Sequence, residues 1–206
     1  MAHASKNTLI ENLKVWYTNA DSLRGKLTEL SARIQAEDPP PDIIVITETW
    51  PKHSRYTGEE FEYKLKGYDL HRTALDAERD ICIPLHQGDK LILCAIYRSP
   101  NSEDINNDKM YELLEEIQSI RSSHKLILGD FNFPGIYWSE LRGTDRRSEK
   151  FIEVIESLYL IQHVKEATRT RGTNVPSILD LVFTEDEGNI EHITYDSPLG
   201  KSDTAC

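Results

Sequence analysis

The run His124-Lys-Leu-Ile-Leu-Gly-Asp130-Phe-Asn132 constrains the fold more than any other stretch of the chain. Leu126, Ile127 and Leu128 form an uninterrupted apolar segment, the signature of a buried strand. That strand runs straight into Gly-Asp-x-Asn, so a carboxylate and a carboxamide arrive together at the edge of a sheet. Such a pair holds a metal, a water or a phosphate. The same residue types also build ordinary β-turns, because their backbones tolerate turn conformations. The rest of the chain has to decide between these readings.

The surrounding pattern is one of strands interleaved with helices. Leu13 to Thr18 reads as a strand and Ser22 to Glu37 as an amphipathic helix. Asp38-Pro-Pro-Pro41 stops that helix before the strand Ile43 to Thr47, giving a β-α-β opening. Lys90 to Tyr97 is a second long apolar run, followed by a helix over Asp108 to Ser122. Lys125 to Leu128 forms the strand above, Ser148 to Leu160 a helix, and Ile178 to Phe183 a late strand. Gly67 to Arg72 and Ile190 to Tyr195 are weaker strand candidates, and Thr73 to Asp80 shows no period. The alternation predicts a layered α/β domain.

Bulk properties narrow the function. A chain of 206 residues accommodates one sizeable domain, read here as 9–206 after a disordered tail at 1–8. No apolar run approaches the roughly 18 residues of a membrane helix, and the N-terminus lacks a secretory pattern. The three cysteines show no Cys-x-x-Cys spacing. These features predict an intracellular protein, nuclear or cytoplasmic, with no membrane partner and no evident obligate protein partner. A net charge of -11 excludes a broad basic surface for nucleic acid. It leaves room for local clusters, namely Arg142, Arg146 and Arg147, then Lys165, Arg169 and Arg171.

The informative recurrence lies where the strands end. Strand one leads to Asn19, strand two to Glu48, the Lys90 run to Tyr97, and the Lys125 strand to Asp130 and Asn132. Asp180 lies inside Ile178-Leu-Asp-Leu-Val-Phe183, where a charge between leucines faces outward by alternation or points into a polar site. In layered α/β proteins, loops at one end of the strands commonly build the site. Each residue also has a plainer role: Asn19 as a helix cap, Tyr97 as strand packing, Ser202-Asp203-Thr204 as a terminal turn.

Laid out together, these residues resemble the endonuclease/exonuclease/phosphatase superfamily, and within it the endonuclease domains of non-LTR retrotransposons. The matching pieces are Tyr17-Thr-Asn-Ala20, Ile46-Thr-Glu-Thr-Trp50, Tyr97-Arg-Ser-Pro100, Leu128-Gly-Asp-Phe-Asn-Phe-Pro134, Ile178-Leu-Asp-Leu-Val-Phe183 and Pro198-Leu-Gly-Lys-Ser-Asp203. They follow the family's order and span nearly the whole chain.

The resemblance implies a four-layer α/β sandwich, with two largely antiparallel sheets flanked by helices. It implies a Mg²⁺ site, with Mn²⁺ as an alternative, at Glu48 and Asn19. Asp130 would orient the attacking water, Asn132 and Tyr97 would contact the phosphate, and Asp180 would join the polar network. Asp203 would orient a neighbouring histidine. DNA is the implied substrate, cut by a module of a longer polyprotein that carries a reverse transcriptase.

Three departures qualify the match. Thr204 stands where the family has histidine, and a hydroxyl cannot carry the positive charge of an imidazolium. The resemblance further implies a glycine-rich turn and a strand between Arg72 and Ile81, which this sequence is expected to lack, and a final strand beyond Cys206. The expectation is therefore a nuclease of impaired activity and marginal stability. The alternatives are a non-catalytic remnant, or a phosphatase or phosphodiesterase of the same superfamily.

Overall fold

Apolar runs bounded by prolines and polar turns set the first unit of the chain. In the computed structural model, which describes residues 12–49, 64–71, 80–85, 89–169 and 176–200, β1 spans Val15–Asn19 and β2 spans Ile43–Thr47. They pair in parallel, Val15 opposite Ile43 through Asn19 opposite Thr47. Between them lies α1, Leu27–Ala36. The helix starts later than the expected Ser22, because Asp21, Ser22 and Gly25 take φ values of 39°, 76° and 78°. A left-handed backbone cannot continue a right-handed helix.

The second sheet has five strands. β3, Asp80–Pro84, and β4, Lys90–Tyr97, pair antiparallel. α2, Asp104–Ser119, then carries the chain to β5, His124–Asp130, which lies parallel to β4. A hairpin of two-residue strands, β6 (Ile136–Tyr137) and β7 (Arg142–Gly143), precedes α3, Arg146–Ser157. Asp145 caps α3, its Oδ1 accepting from the Arg147 and Ser148 amides at 2.9 and 3.0 Å. β8, Ile161–Gln162, and β9, Asp180–Thr184, complete the order β3-β4-β5-β9-β8.

Side-chain alternation sorts the core into three clusters, and these define four layers. Leu91, Leu93, Leu126 and Leu128 face Val45, with Val15, Tyr17 and Ile43 packed against them, so the two sheets meet there. The opposite face of the larger sheet presents Ile92, Cys94, Ile96, Ile127, Leu181 and Phe183 to Met110, Leu114 and Phe151 of α2 and α3. Leu30 and Ile34 of α1 join Ala20, Leu23 and Leu199 against Trp16, Ile44 and Ile46. The result is helix, sheet, sheet, helix: the expected four-layer α/β sandwich.

Strand pairing is more mixed than largely antiparallel, with parallel pairs at β1–β2 and β4–β5. Both arise because a helix connects the two strands of each pair. Two weak strand expectations fail. Residues 64–71 form a turn closed by the Tyr68 amide on the Leu65 carbonyl at 3.2 Å. Ile190 to Tyr195 forms no strand and has no strand partner among the described residues. The expected tail 1–8, the segment between Arg72 and Asp80 and the residues from Lys201 onward, Asp203 and Thr204 included, lie outside the described residues.

Candidate active site

Strand register gathers the polar ends. Asn19 closes β1 opposite Thr47, and Glu48 follows at once. Tyr97 closes β4 opposite Asp130 at the end of β5, and Asp130 in turn lies opposite Asp180 at the start of β9. Five of the residues read from the sequence therefore share one end of the sandwich. Sheet-to-sheet packing, with β1 over β5 and β2 over β4, brings the two rows together.

Asp130 is the centre, fully buried. Its Oδ2 accepts from Asn19 Nδ2 at 2.8 Å and from Arg169 Nη2 at 3.0 Å. Its Oδ1 is buried with no hydrogen-bond partner among the described residues. Burial raises its pKa, while the charge of Arg169 and the bond from Asn19 pull the other way. Asn19 is also fully buried, and its Oδ1 accepts the Asp21 amide at 3.0 Å. The helix-cap reading of Asn19 gives way to a structural bond across the site.

Asp180 is likewise buried and forms a second carboxylate beside the first. Tyr17 donates to its Oδ1 at 3.0 Å, and its Oδ2 has no partner among the described residues. Burial, reinforced by the charge of Asp130, pushes its pKa up to about 7. Thr168 Oγ1 receives the Leu179 and Asp180 amides, both at 3.1 Å, and so fixes the start of β9. Of the two readings the sequence left open, Asp180 points inward.

Tyr97 donates to Glu48 Oε1 at 2.6 Å and is 39% exposed, so it is not enclosed as a packed strand aromatic would be. Burial, then the bond and charge of Glu48, raise the phenol's pKa. Glu48 takes a φ of 48° and Asn132 one of 53°. Left-handed backbone at ordinary residues is uncommon and clusters at functional sites. The turn at Asn132 is stapled from behind by Arg98, whose Nη1 donates to the Asn132 carbonyl at 2.9 Å. Arg98 Nε bonds Asn107 Oδ1 at 2.7 Å, and its guanidinium lies 4.1 Å from the centre of the Phe133 ring.

Sequence reasoning did not place Tyr17, Thr168, Arg98 or Arg169 in this constellation. Tyr17 and Arg98 sit beside residues that were named, within the same motifs. Thr168 was not singled out, and Arg169 was read only as one of the local basic cluster Lys165, Arg169 and Arg171. The structure instead buries most of its side chain, 17% exposed, against Asp130.

The donors here suit a hard divalent cation. Glu48 offers a carboxylate, Asn19 a carbonyl, and Asp130 Oδ1 a buried oxygen that otherwise lacks a partner among the described residues. No group of three or more His, Cys, Asp or Glu side chains is arranged to hold a metal among the described residues.

Comparison with known proteins adds an independent line. The family model described as endonuclease-reverse transcriptase matches residues 91–203, more than half of the chain. The endonuclease domain of TRAS1, a telomere-specific non-LTR retrotransposon, superposes with a TM-score of 0.58 at 17% identity, covering 94% of each chain. A 3' phosphatase, NExo, from Neisseria, bound to product DNA hairpin, gives 0.60 at 14% identity, covering 94% of this chain and 97% of its own. An endonuclease/exonuclease/phosphatase family protein from Leptotrichia buccalis gives 0.52 at 15% identity, covering 85% and 89%. Comparison with curated proteins returned no match.

Proposed function

The chain belongs to the endonuclease-reverse transcriptase family of the endonuclease/exonuclease/phosphatase superfamily, and we propose that it hydrolyses DNA phosphodiester bonds with a divalent cation. The observation that carries this reading is the buried Asp130, held on one oxygen by Asn19 and Arg169 with its other oxygen unbonded among the described residues. An acceptor aimed into a polar corner and left unsatisfied costs stability unless a water or ligand meets it.

In this proposal Glu48 and Asn19 would hold Mg²⁺ or Mn²⁺, which would supply Lewis-acid charge when bound. Asp130 accepts a hydrogen bond from the attacking water and aligns it with the phosphorus. Asn132 and Tyr97 donate to the non-bridging phosphate oxygens as negative charge grows on them. Asp180, largely neutral below about pH 7, adds little negative charge beside an anionic substrate. Asp203, which the family pattern places next to the site, retains no histidine to orient, because Thr204 follows it. Turnover is therefore reduced, not lost. The family and the TRAS1 relative support a role as the target-nicking module of a longer retrotransposon protein with a reverse transcriptase.

The test is nicking of supercoiled plasmid in Mg²⁺ and in EDTA by the natural chain and by Thr204→His. We expect slow nicking that EDTA abolishes, with Thr204→His faster by up to about 10²-fold, the lower end of what a positioned acid or base contributes. A chain that never nicks in either form overturns the endonuclease reading in favour of a non-catalytic remnant. Release of phosphate from a 3'-phosphorylated oligonucleotide without nicking would replace it with a phosphatase.

A further inference from the structure

Arg169 stands in a place where a surface arginine has no reason to be. Its backbone forms an antiparallel bridge to Ser177, each amide bonding the other's carbonyl at 3.1 Å. Its neighbour Thr168 fixes the first amides of β9. The side chain is thus projected from a braced position, not from a loose loop. It ends with Nη2 3.0 Å from Asp130 Oδ2, on an oxygen that Asn19 also approaches. Its charge acts on Asp130, Asp180 and Tyr97 alike.

The chemistry of the corner demands such a group. Glu48 and Asp130 bring their charges together where a phosphodiester, itself an anion, has to enter in the proposed reaction. A guanidinium is permanently charged and offers a rigid fork of donors. It therefore holds a carboxylate in one orientation while offsetting its charge.

We propose that Arg169 is the positioning residue of this site: it fixes Asp130 through the 3.0 Å ion pair and offsets that carboxylate's charge where the substrate enters. The inference rests on the nuclease reading above. It differs from a structural ion pair in what it predicts. A merely structural arginine changes stability and leaves the turnover of folded protein alone. A positioning arginine changes turnover in protein that remains folded.

The experiment compares the natural chain, Arg169→Lys and Arg169→Ala in Mg²⁺-dependent cleavage of a short fluorescent duplex, with circular dichroism and urea unfolding on each. Arg169→Ala is expected to lower kcat by about 10²-fold, as loss of one preorganised donor does, with a smaller change in KM. Added guanidinium, well below denaturing concentrations, is expected to restore part of that loss in Arg169→Ala and nothing in the natural chain. Arg169→Lys is expected to fall between the two. Folded Arg169→Ala with undiminished kcat overturns the assignment while leaving the nuclease reading intact. So does a loss that guanidinium fails to restore and that tracks a lowered unfolding midpoint. No metal-dependent cleavage by the natural chain overturns both.

Discussion

Replacing Asp180 with asparagine should make the protein more stable at mildly alkaline pH. Asp180 is 4% exposed, and Tyr17 donates to its Oδ1 at 3.0 Å. Burial and the neighbouring charge of Asp130 push its pKa from the ordinary 3.8 up to about 7. Between these values the folded chain keeps a proton that the unfolded chain has released, so stability falls as pH rises. The contribution is complete below the unfolded value, shrinks across the interval and is gone once pH has passed through the folded value. At about 1.4 kcal/mol for each pH unit, the interval amounts to on the order of 4 kcal/mol. Asp180→Asn keeps the shape and the acceptor for Tyr17 but never ionises. The assay is urea unfolding in EDTA at about pH 5 and about pH 8, where linkage predicts the two chains to diverge. Trp138, 6.0 Å from Phe183 of β9 in an edge-on pair, provides the fluorescence signal. The natural chain should lose stability between the two pH values through this group, and the variant should not. Equal losses in both, or a variant less stable at the higher pH, would refute the argument.

Other perturbations report on the frame around the site. Gly129→Ala should destabilise the chain by about 3 kcal/mol or more, as severe overpacking does: φ is 147°, and an added Cβ would lie 1.8 Å from the Ile96 carbonyl oxygen. Thermal unfolding checks this, and an unchanged midpoint would contradict the close strand approach. Phe151→Ala should cost about 3–5 kcal/mol, since its fully buried ring stacks 4.4 Å from Phe133 and 5.4 Å from Phe131. Chemical denaturation reads that loss. Arg33→Ala should speed proteolysis of the C-terminal segment by about tenfold, the effect of losing roughly 1–1.5 kcal/mol of hydrogen bonding. Arg33 donates to the Ser197 and Pro198 carbonyls at 2.6 and 2.8 Å. Mapping the cleavage sites by mass spectrometry would show whether that segment is the one released.

The elements legible in the sequence are those whose signal is local. β2 and β4 fall on the expected residues because Ile43 to Thr47 and Lys90 to Tyr97 are apolar runs with turn residues at their borders. α3 begins two residues earlier than its apolar period suggests, since the start is set by the Asp145 cap and not by periodicity. β6, β7 and β8 are two residues each, too short to carry a period, and exist only through their partners. Ile190 to Tyr195 shows the converse, a strand-like composition without a partner to complete it. The site divides the same way. Asn19, Glu48, Tyr97, Asp130 and Asp180 were readable because each lies on or just after an apolar run. Arg169 was not, because its role depends on a bridge to Ser177 and on proximity to Asp130, 39 positions away, which no local pattern records.

The β5–β9 pairing leaves this corner with unmet hydrogen-bonding capacity among the described residues. Three successive pairs, Ile127 with Phe183, Leu128 with Val182 and Gly129 with Leu181, are what a sheet stabilised by apolar packing would use. The fourth sets two carboxyl groups, Asp130 and Asp180, opposite one another, and their burial raises the pKa of both. Asn19, Arg169, Tyr17 and Thr168 offset part of the cost of that burial through bonds to one oxygen of each carboxylate or to the adjoining backbone. They leave Asp130 Oδ1 and Asp180 Oδ2 buried without partners among the described residues. A fold under selection for stability alone would complete these bonds or replace the pair with hydrocarbon. One oxygen of each carboxyl group is left over, the arrangement the proposed reaction would use for a water, a cation or a substrate group.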